Sequence, residues 1–225
     1  MTGGGEDDFS SSKYLIRILL ALNPATFPIA KTLPWKNCVR YKSADSNASQ
    51  PPSAPTPVYN ATLRAESSTT AYLSLLHASI KRCEGYLDAC KLASVWLRQR
   101  GFETGLLSGG FGGFEVACTF TLLLRGGGPK GRALLSPGYS SYQLFKAFLQ
   151  FLASNDLVKA PLAVGGNMPE DLKNLNSDSP MLFDAARGLN VMWKMTTWSY
   201  GKVRFSFFEW CKTTEFLISS NTRRG

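Results

Sequence analysis

The chain has little of the chemistry on which most enzymes depend. It contains one histidine, His77, in 225 residues, and no serine or cysteine nucleophile stands with a carboxylate in a recognisable motif near it. No Asp-x-Asp pair occurs in the sequence, and the acidic run at 6–8 has no strand pattern around it. A two-metal site for nucleotidyl transfer cannot be assembled from these residues. We therefore predict that the protein is not an enzyme and has no small-molecule substrate.

Cysteine pairs with metal-site spacing are also missing. The five cysteines include no Cys-x-x-Cys motif, which argues against a zinc site. Cys83 and Cys90 lie seven residues apart on a helical pattern, about 10 Å along the helix axis, which is too far for a disulfide. The sequence therefore predicts reduced thiols, no metal and no cofactor.

Long apolar runs are absent as well. No stretch approaches the ~20 apolar residues of a membrane-spanning helix. Residues 15–22 are interrupted by Arg17 and preceded by acidic residues at 6–8, where a signal peptide would be basic. We expect an intracellular protein that does not contact a membrane.

What the sequence does contain is enough apolar mass for a core. Hydrophobic residues make up 44% of the chain, which excludes a wholly disordered protein. The net charge of +9 is local, since residues 9–42 carry six lysines or arginines and residues 125–150 carry four, without an acid in either window. A local basic surface is typical of phosphate binding, although a solvated surface that aids solubility has the same composition.

The basic residues suggest where an anionic partner would bind. Arg98 and Arg100 lie in the last turn of a predicted helix, where they complement the helix dipole or reach a phosphate or a partner carboxylate. The loop at 126–132 is flexible and basic, which favours contact with RNA or an acidic partner. The predicted contact residues are Lys36, Arg40, Lys42, Arg98, Arg100, Lys130 and Arg132.

Composition also divides the chain. Residues 1–12 are predicted to be a disordered tail, and the Ser/Pro-rich stretch at 43–58 a linker or long surface loop. A hairpin or strand is expected within 27–40, and a strand pair around residues 187–188. Five helices are predicted. The first begins at caps in 67–69, the second covers 86–100 with Gly101 as its stop, and the third covers 114–124 at the domain centre. The fourth runs from a cap at Ser140 or Ser141 to residue 154, and the last covers 200–219 after a cap at Ser199.

The glycine-rich loop at 109–113 allows two interpretations. Its backbone N–H groups precede a helix and could hold a phosphate, but the loop matches no nucleotide-binding motif. Glu115 at the helix start would repel a phosphate. We favour a tight connection in which Phe111 and Phe114 pack. In the C-terminal segment, five aromatic residues predict an exposed apolar patch: Trp198, Phe205, Phe207, Phe208 and Trp210.

Several of these motifs occur together in one known family. The segments VWLRQRGF at 95–102, GGFGGFE at 109–115 and LSPGYSSYQLFK at 135–146 closely resemble the nucleolar RNA-associated protein (Nrap) family. Its members include nucleolar protein six and its fungal relatives, and they are several times longer than this chain. The resemblance runs over nearly the whole sequence.

The resemblance implies a fold that is α+β and mainly α. Family members look like tandem modules, each a nucleotidyltransferase-like α/β head followed by a helical domain similar to those of poly(A) polymerase and oligoadenylate synthetase. On this basis residues 13–42 end a first head, residues 59–181 form the helical domain, and residues 182–225 begin a second head.

The resemblance also implies a function. The family is regarded as catalytically inactive and acts in the small-subunit processome of the nucleolus. The expected protein is a noncatalytic scaffold that binds pre-ribosomal or small nucleolar RNA and other processome proteins. Two alternatives stay open. One is the helical domain of an active nucleotidyltransferase whose catalytic head is missing, and the other is an interaction module that does not bind RNA.

Overall fold

The protein is α+β and mainly α, as the resemblance implies. A computed structural model describes residues 23, 26–39, 54–128, 131–173, 179–206 and 208. The elements within them are α1 (Pro57–Arg82), α2 (Tyr86–Arg98), α3 (Gly113–Leu123), α4 (Ser141–Ser154), β1 (Leu162–Val164), α5 (Glu170–Lys173), β2 (Leu182–Asp184), β3 (Leu189–Asn190) and α6, which is helical over 197–206. In the part of the chain that is described, no helix is both long enough and apolar enough to cross a membrane.

The first helix begins about ten residues before its predicted start. The prediction of caps at 67–69 is wrong, because α1 starts at Pro57 with Thr56 in the N-cap position. Proline is favoured in the first helical turn, where its missing N–H has no intrahelical partner. Ser67 and Ser68 instead lie in the middle of α1 and are buried, and each makes a hydrogen bond with Arg64.

The second helix follows the prediction closely. It ends at Arg98, and Gly101 takes a positive φ of 78°, which a glycine adopts without strain. Leu87 and Val95, two of its apolar residues, are about half exposed. Ala89 and Ala93 are fully buried, and α2 packs against both α3 and α4.

Close packing explains the break before α2. A Cβ at Gly85 would lie 2.6 Å from the backbone nitrogen of Ser141, so only glycine lets the starts of α2 and α4 meet. Ser140 caps α4 as predicted: its Oγ accepts from Gln143 N at 3.3 Å, and Gln143 Oε1 accepts from Ser140 N at 2.9 Å. Tyr142 in the first turn of α4 is 53% exposed.

The third helix lies at the centre of the core, as its apolar sequence predicts. It contacts both α1 and α2. Phe120 stacks against Phe148 of α4 with 4.7 Å between ring centroids. The hydroxyl of Tyr86 on α2 donates to Ala117 O at 2.7 Å, which satisfies a polar group inside the core.

A small sheet covers one side of the helices. β1 pairs parallel to β2, and β2 pairs antiparallel to β3, so the predicted strand pair around 187–188 is confirmed. The β1–β2 pairing joins residues on the two sides of the predicted boundary at 181/182, and that boundary stays a prediction. The hairpin or strand expected within 27–40 is wrong for the described residues 27–39. These form a 3-10 turn at Ile29–Lys31 and further turns, since prolines at 28 and 34 remove backbone donors.

The last described helix is capped by a different residue from the one predicted. Ser199 N donates to Thr196 Oγ1 at 3.1 Å, and Thr196 N donates to Ser199 Oγ at 2.9 Å. Thr196 is therefore the N-cap of α6, and Ser199 is the third helical residue of a reciprocal capping pair. Tyr200 and Val203 are buried against the main core.

A buried polar cluster joins α1 to the turn between β2 and β3. Asp184 is 1% exposed, and its Oδ2 accepts from the Tyr72 hydroxyl at 3.0 Å and from Arg187 Nη1 at 2.8 Å. Its Oδ1 accepts the backbone N–H of Ala186 at 3.1 Å. The carboxylate is therefore paired with a cation and further satisfied by hydrogen bonds, as a buried charge requires.

Arg64 extends the same junction with neutral partners. It is 4% exposed, and its guanidinium donates to the carbonyl oxygens of Arg187 and Phe27 at 3.1 and 2.8 Å, and to Ser68 Oγ at 3.3 Å. Burial lowers the pKa of Arg64 from its ordinary value. The planar fork of the guanidinium holds three segments of the chain at fixed positions.

The junction makes Arg64→Lys a sharp test of the fold. Lysine keeps the charge but cannot reach both carbonyls, so we expect the free energy of unfolding to fall by about 1–3 kcal/mol. The control is Arg82→Lys, an exposed residue in the last turn of the same helix, with an expected change of less than about 0.5 kcal/mol. Urea denaturation measures both. Equal stability of the two variants would show that the fork does not hold the junction.

Alkaline pH should weaken the attachment of α6. The Tyr200 hydroxyl donates to Asn155 O at 2.6 Å, and burial raises the pKa of this tyrosine from 10.0 to about 12. Folding favours the protonated form, so its contribution to stability is complete below pH 10 and is lost between pH 10 and about 12. We expect a loss of stability over that interval that is smaller in Tyr200→Phe. A parallel loss in the variant would exclude Tyr200 as its source.

Candidate nucleic-acid interface

Four of the seven predicted contact residues lie in the described part of the chain. Lys36, Arg98, Arg100 and Arg132 all have exposed side chains. Arg40, Lys42 and Lys130 lie outside the described residues. Arg98 and Arg100 lie together at the end of α2, whereas Lys36 lies beside the start of α1 and Arg132 lies in the loop after α3. No contact described joins these three places.

Lys36 lies beside the start of α1. Its carbonyl oxygen accepts hydrogen bonds from Asn60 Nδ2 at 2.8 Å and from Thr56 N at 3.1 Å. These bonds fix the backbone while the ammonium stays exposed. Lys36 and Lys31 line one groove together with Tyr59 and Leu63 of α1, so two cations lie near this end of the helix.

Arg100 follows the C-terminal end of α2 and is held by Trp96. Its Cζ lies 4.1 Å from the ring centroid, and Nη1 donates to Trp96 O at 3.0 Å. The hydrogen bond to Trp96 O places the positive charge of Arg100 at the C-terminal end of α2, where it complements the helix dipole as predicted. The remaining guanidinium donors are available to a ligand, since Arg100 is exposed and has no carboxylate partner among the described residues.

Arg132 lies in the loop that follows α3. Gly127 and Ala133 form an antiparallel bridge, and Gly128 N donates to Arg132 O at 2.8 Å. The loop therefore closes on itself like a short hairpin. The backbone of Arg132 is held in place, whereas its side chain points to solvent.

The glycine loop does not form a phosphate site. Glu115 fills the N-terminal end of α3: its Oε2 accepts from Gly112 N at 3.1 Å, and its Oε1 pairs with Lys194 Nζ at 2.8 Å. The sequence predicts that the loop is a tight connection with Phe111 and Phe114 packed. Phe111 is fully buried, as predicted, but Phe114 is 39% exposed. Gly110 takes a positive φ, and a Cβ there would lie 2.4 Å from Lys194 O. The loop thus packs against the turn after β3.

The cysteines of α2 and α3 are not activated for nucleophilic chemistry. Burial raises the pKa of the Cys90 thiol to about 12 and also raises the pKa of Cys118, so neither supplies a thiolate at neutral pH. His77 lies exposed on α1. Among the described residues, no group of three or more histidine, cysteine or acidic side chains is placed to hold a metal ion.

Sequence reasoning missed a groove in which a cation and aromatic rings meet on α6. Trp198, Lys202 and Phe205 line it together with Arg100, and Lys202 Nζ lies 3.9 Å from the centroid of the Trp198 ring. The spacing 198, 202, 205 places the three on one helical face, which is the signal that would have revealed them. The predicted apolar patch is confirmed at Trp198, Phe205 and Phe208, which are 68%, 66% and 47% exposed. Phe207 and Trp210 lie outside the described residues.

A larger groove of about 670 Å³ lies on the other side of Trp198 and is mainly apolar. Its walls come from the start of α1, from the strand pair and from the turn before α6. The apolar residues that line it include Pro57, Val58, Met181, Leu189, Trp193 and Met195. A groove of this composition suits an apolar protein segment.

Comparison with known proteins places these features in one family. Residues 85–222 match the family described as Nrap protein PAP/OAS-like domain, and residues 2–82 match Nrap protein domain 1. U3 small nucleolar RNA-associated protein 22 of Saccharomyces cerevisiae is 32% identical over 205 residues, which are 86% of this chain and 16% of that protein.

Further relatives agree with this match. The protein of the same name from Schizosaccharomyces pombe is 32% identical over 87% of this chain and 17% of its own length. Human nucleolar protein 6 is 29% identical over 80% of this chain and 16% of its own length. The chain spans about one sixth of the length of these relatives. Since the PAP/OAS-like match covers more than half of the sequence, the protein belongs to the Nrap family.

Proposed function

We propose that the protein is a noncatalytic scaffold of ribosome small-subunit biogenesis in the nucleolus. It binds pre-ribosomal or small nucleolar RNA through exposed basic side chains and binds other processome proteins through apolar surface. The observation that carries the proposal is the family match, because the relatives are named for U3 small nucleolar RNA and for the nucleolus. The whole relatives are about six times longer, so their partners enter here as part of the proposal.

The distribution of charge supports RNA as a partner. The four ion pairs among the described residues involve Lys91, Arg187, Lys194 and Arg204. None uses Lys36, Arg98, Arg100 or Arg132, so these exposed cations are not neutralised by a described carboxylate. Exposed cations of this kind gain free energy on contact with phosphates through release of counterions.

The apolar groove beside α1 supports a protein partner. It exposes Val58 and Trp198, which are 52% and 68% exposed, and the lysine in its wall, Lys194, is already paired with Glu115. A surface with apolar side chains and no free charge in its centre is typical of the core of a protein interface. The described residues contain no catalytic site. This is compatible with a noncatalytic scaffold, and equally with the helical domain of an active nucleotidyltransferase whose catalytic head is missing here.

Phosphate contacts predict a defined salt dependence. Replacing Lys36, Arg98 and Arg132 together by glutamine should weaken binding to single-stranded RNA. The slope of log K against log salt should fall by about 2, because each phosphate contact on a single strand contributes about 0.7. Fluorescence anisotropy over a salt series measures both quantities.

The matched control removes the same charge elsewhere. Lys81, Lys91 and Lys159 are exposed, and their replacement by glutamine should leave most of the slope in place. An equal fall in both variants would show that net charge binds RNA and that the predicted positions have no special role. Absence of RNA binding by the unchanged protein would favour the interaction module.

The noncatalytic part of the proposal has its own test. We expect no incorporation of labelled nucleotide into an RNA primer by the purified protein with Mg²⁺, since the sequence has no Asp-x-Asp pair to hold two metal ions. A poly(A) polymerase assayed in parallel shows that the conditions support the reaction. Incorporation above background would establish the active nucleotidyltransferase instead.

A further inference from the structure

The groove between α2 and α6 presents two aromatic rings to solvent. It has a volume of about 510 Å³, and Arg100, Trp198, Lys202 and Phe205 line it. Trp198 is 68% exposed and Phe205 is 66% exposed. Large aromatic side chains gain free energy on burial, so two such rings in one groove indicate a surface that a ligand covers.

The helix is oriented so that these rings cannot turn inward. Ser199, Tyr200 and Val203, on the opposite face of α6, are each at most 3% exposed. Arg204 pairs with Asp156 at 2.9 Å, and the Tyr200 hydroxyl donates to Asn155 O at 2.6 Å. These contacts fix the rotation of α6 about its axis and hold positions 198, 202 and 205 on the solvent side.

Two cations border the rings. Lys202 Nζ lies 3.9 Å from the Trp198 ring centroid, and Arg100 is held against Trp96 at 4.1 Å. Neither cation has a carboxylate partner among the described residues. None of the described residues that line the groove is acidic. The groove therefore combines flat apolar surfaces with positive charge at their edges.

We propose that this groove binds single-stranded RNA, with unpaired bases stacked on Trp198 and Phe205 and the backbone phosphates beside Lys202 and Arg100. Aromatic stacking combined with a positive groove is the physical basis of single-strand binding, because every base has a π face and every nucleotide has a phosphate. A duplex offers its phosphates but keeps its bases stacked on one another. The inference rests on the proposed RNA-binding function and names the form of RNA and the residues that bind it.

The first test removes the rings. The probe is an oligouridylate of about ten nucleotides, which is within the usual site size of such grooves, and the comparison is an RNA duplex with the same number of phosphates. Trp198→Ala and Phe205→Ala should each weaken binding of the single strand about tenfold and change duplex binding little. Tyr142→Ala, which removes an exposed aromatic ring from α4, should change neither.

The second test keeps both aromatic rings and changes Gly201, another residue that lines the groove. A side chain at Gly201 would meet no heavy atom within 4 Å of its Cβ, so substitutions there fit without moving the helix. We expect Gly201→Glu to weaken single-strand binding about tenfold, Gly201→Lys to strengthen it, and Gly201→Ala to leave it unchanged. This series does not depend on the stability of the aromatic variants.

The outcomes separate this inference from the proposed function. If the unchanged protein binds no RNA, the proposed function fails together with the inference. If it binds RNA but Trp198→Ala, Phe205→Ala and Gly201→Glu bind the single strand as tightly as the unchanged protein does, the function stands and the groove is not the site. Equal weakening of duplex and single-strand binding would show that the groove contacts phosphates without stacking bases, and it would overturn the proposal.

Discussion

The buried carboxylate of Asp184 is the interaction on which the arrangement of the fold depends. Its two oxygens accept from Tyr72, Arg187 and the backbone of the following turn, so α1 and the β2–β3 turn are held together. An unpaired charge at this depth would cost several kcal/mol, so loss of these contacts is strongly disfavoured. The turn after β3 carries Lys194, which pairs with Glu115 at the start of α3, and α6 follows this turn.

The buried charged groups of the described fold are all paired or hydrogen-bonded, whereas basic side chains on its surface are exposed. Inside, Asp184 and Glu115 are paired with cations, and the guanidinium of Arg64 is satisfied by neutral acceptors. Outside, the four predicted basic residues that the structure describes form no ion pair with a described carboxylate. Rigid interior contacts hold the exposed groups at fixed separations from one another, as the proposed scaffold role requires.

Much of the fold and part of the site follow from residue patterns. The helical periods predicted α2, α3 and α4, and the alternation around 187–188 predicted the strand pair, because these signals are local. The predicted start of α1 is wrong. Ser67 and Ser68 are residue types that often cap helices, but here they are buried within α1 and hydrogen-bonded to Arg64. The proposed division into head and helical domains remains a prediction.

By itself, the sequence determined the class of protein: a basic, mainly helical chain without a nucleophile motif or a metal-binding pair, whose motifs identify the Nrap family. The tertiary structure decided which side chains share a surface. Arg100 and Lys202 are a hundred residues apart, and no periodicity joins them. They line one groove because Tyr200 and Arg204 fix the rotation of α6, and a rotation of that kind depends on long-range packing that local sequence does not encode.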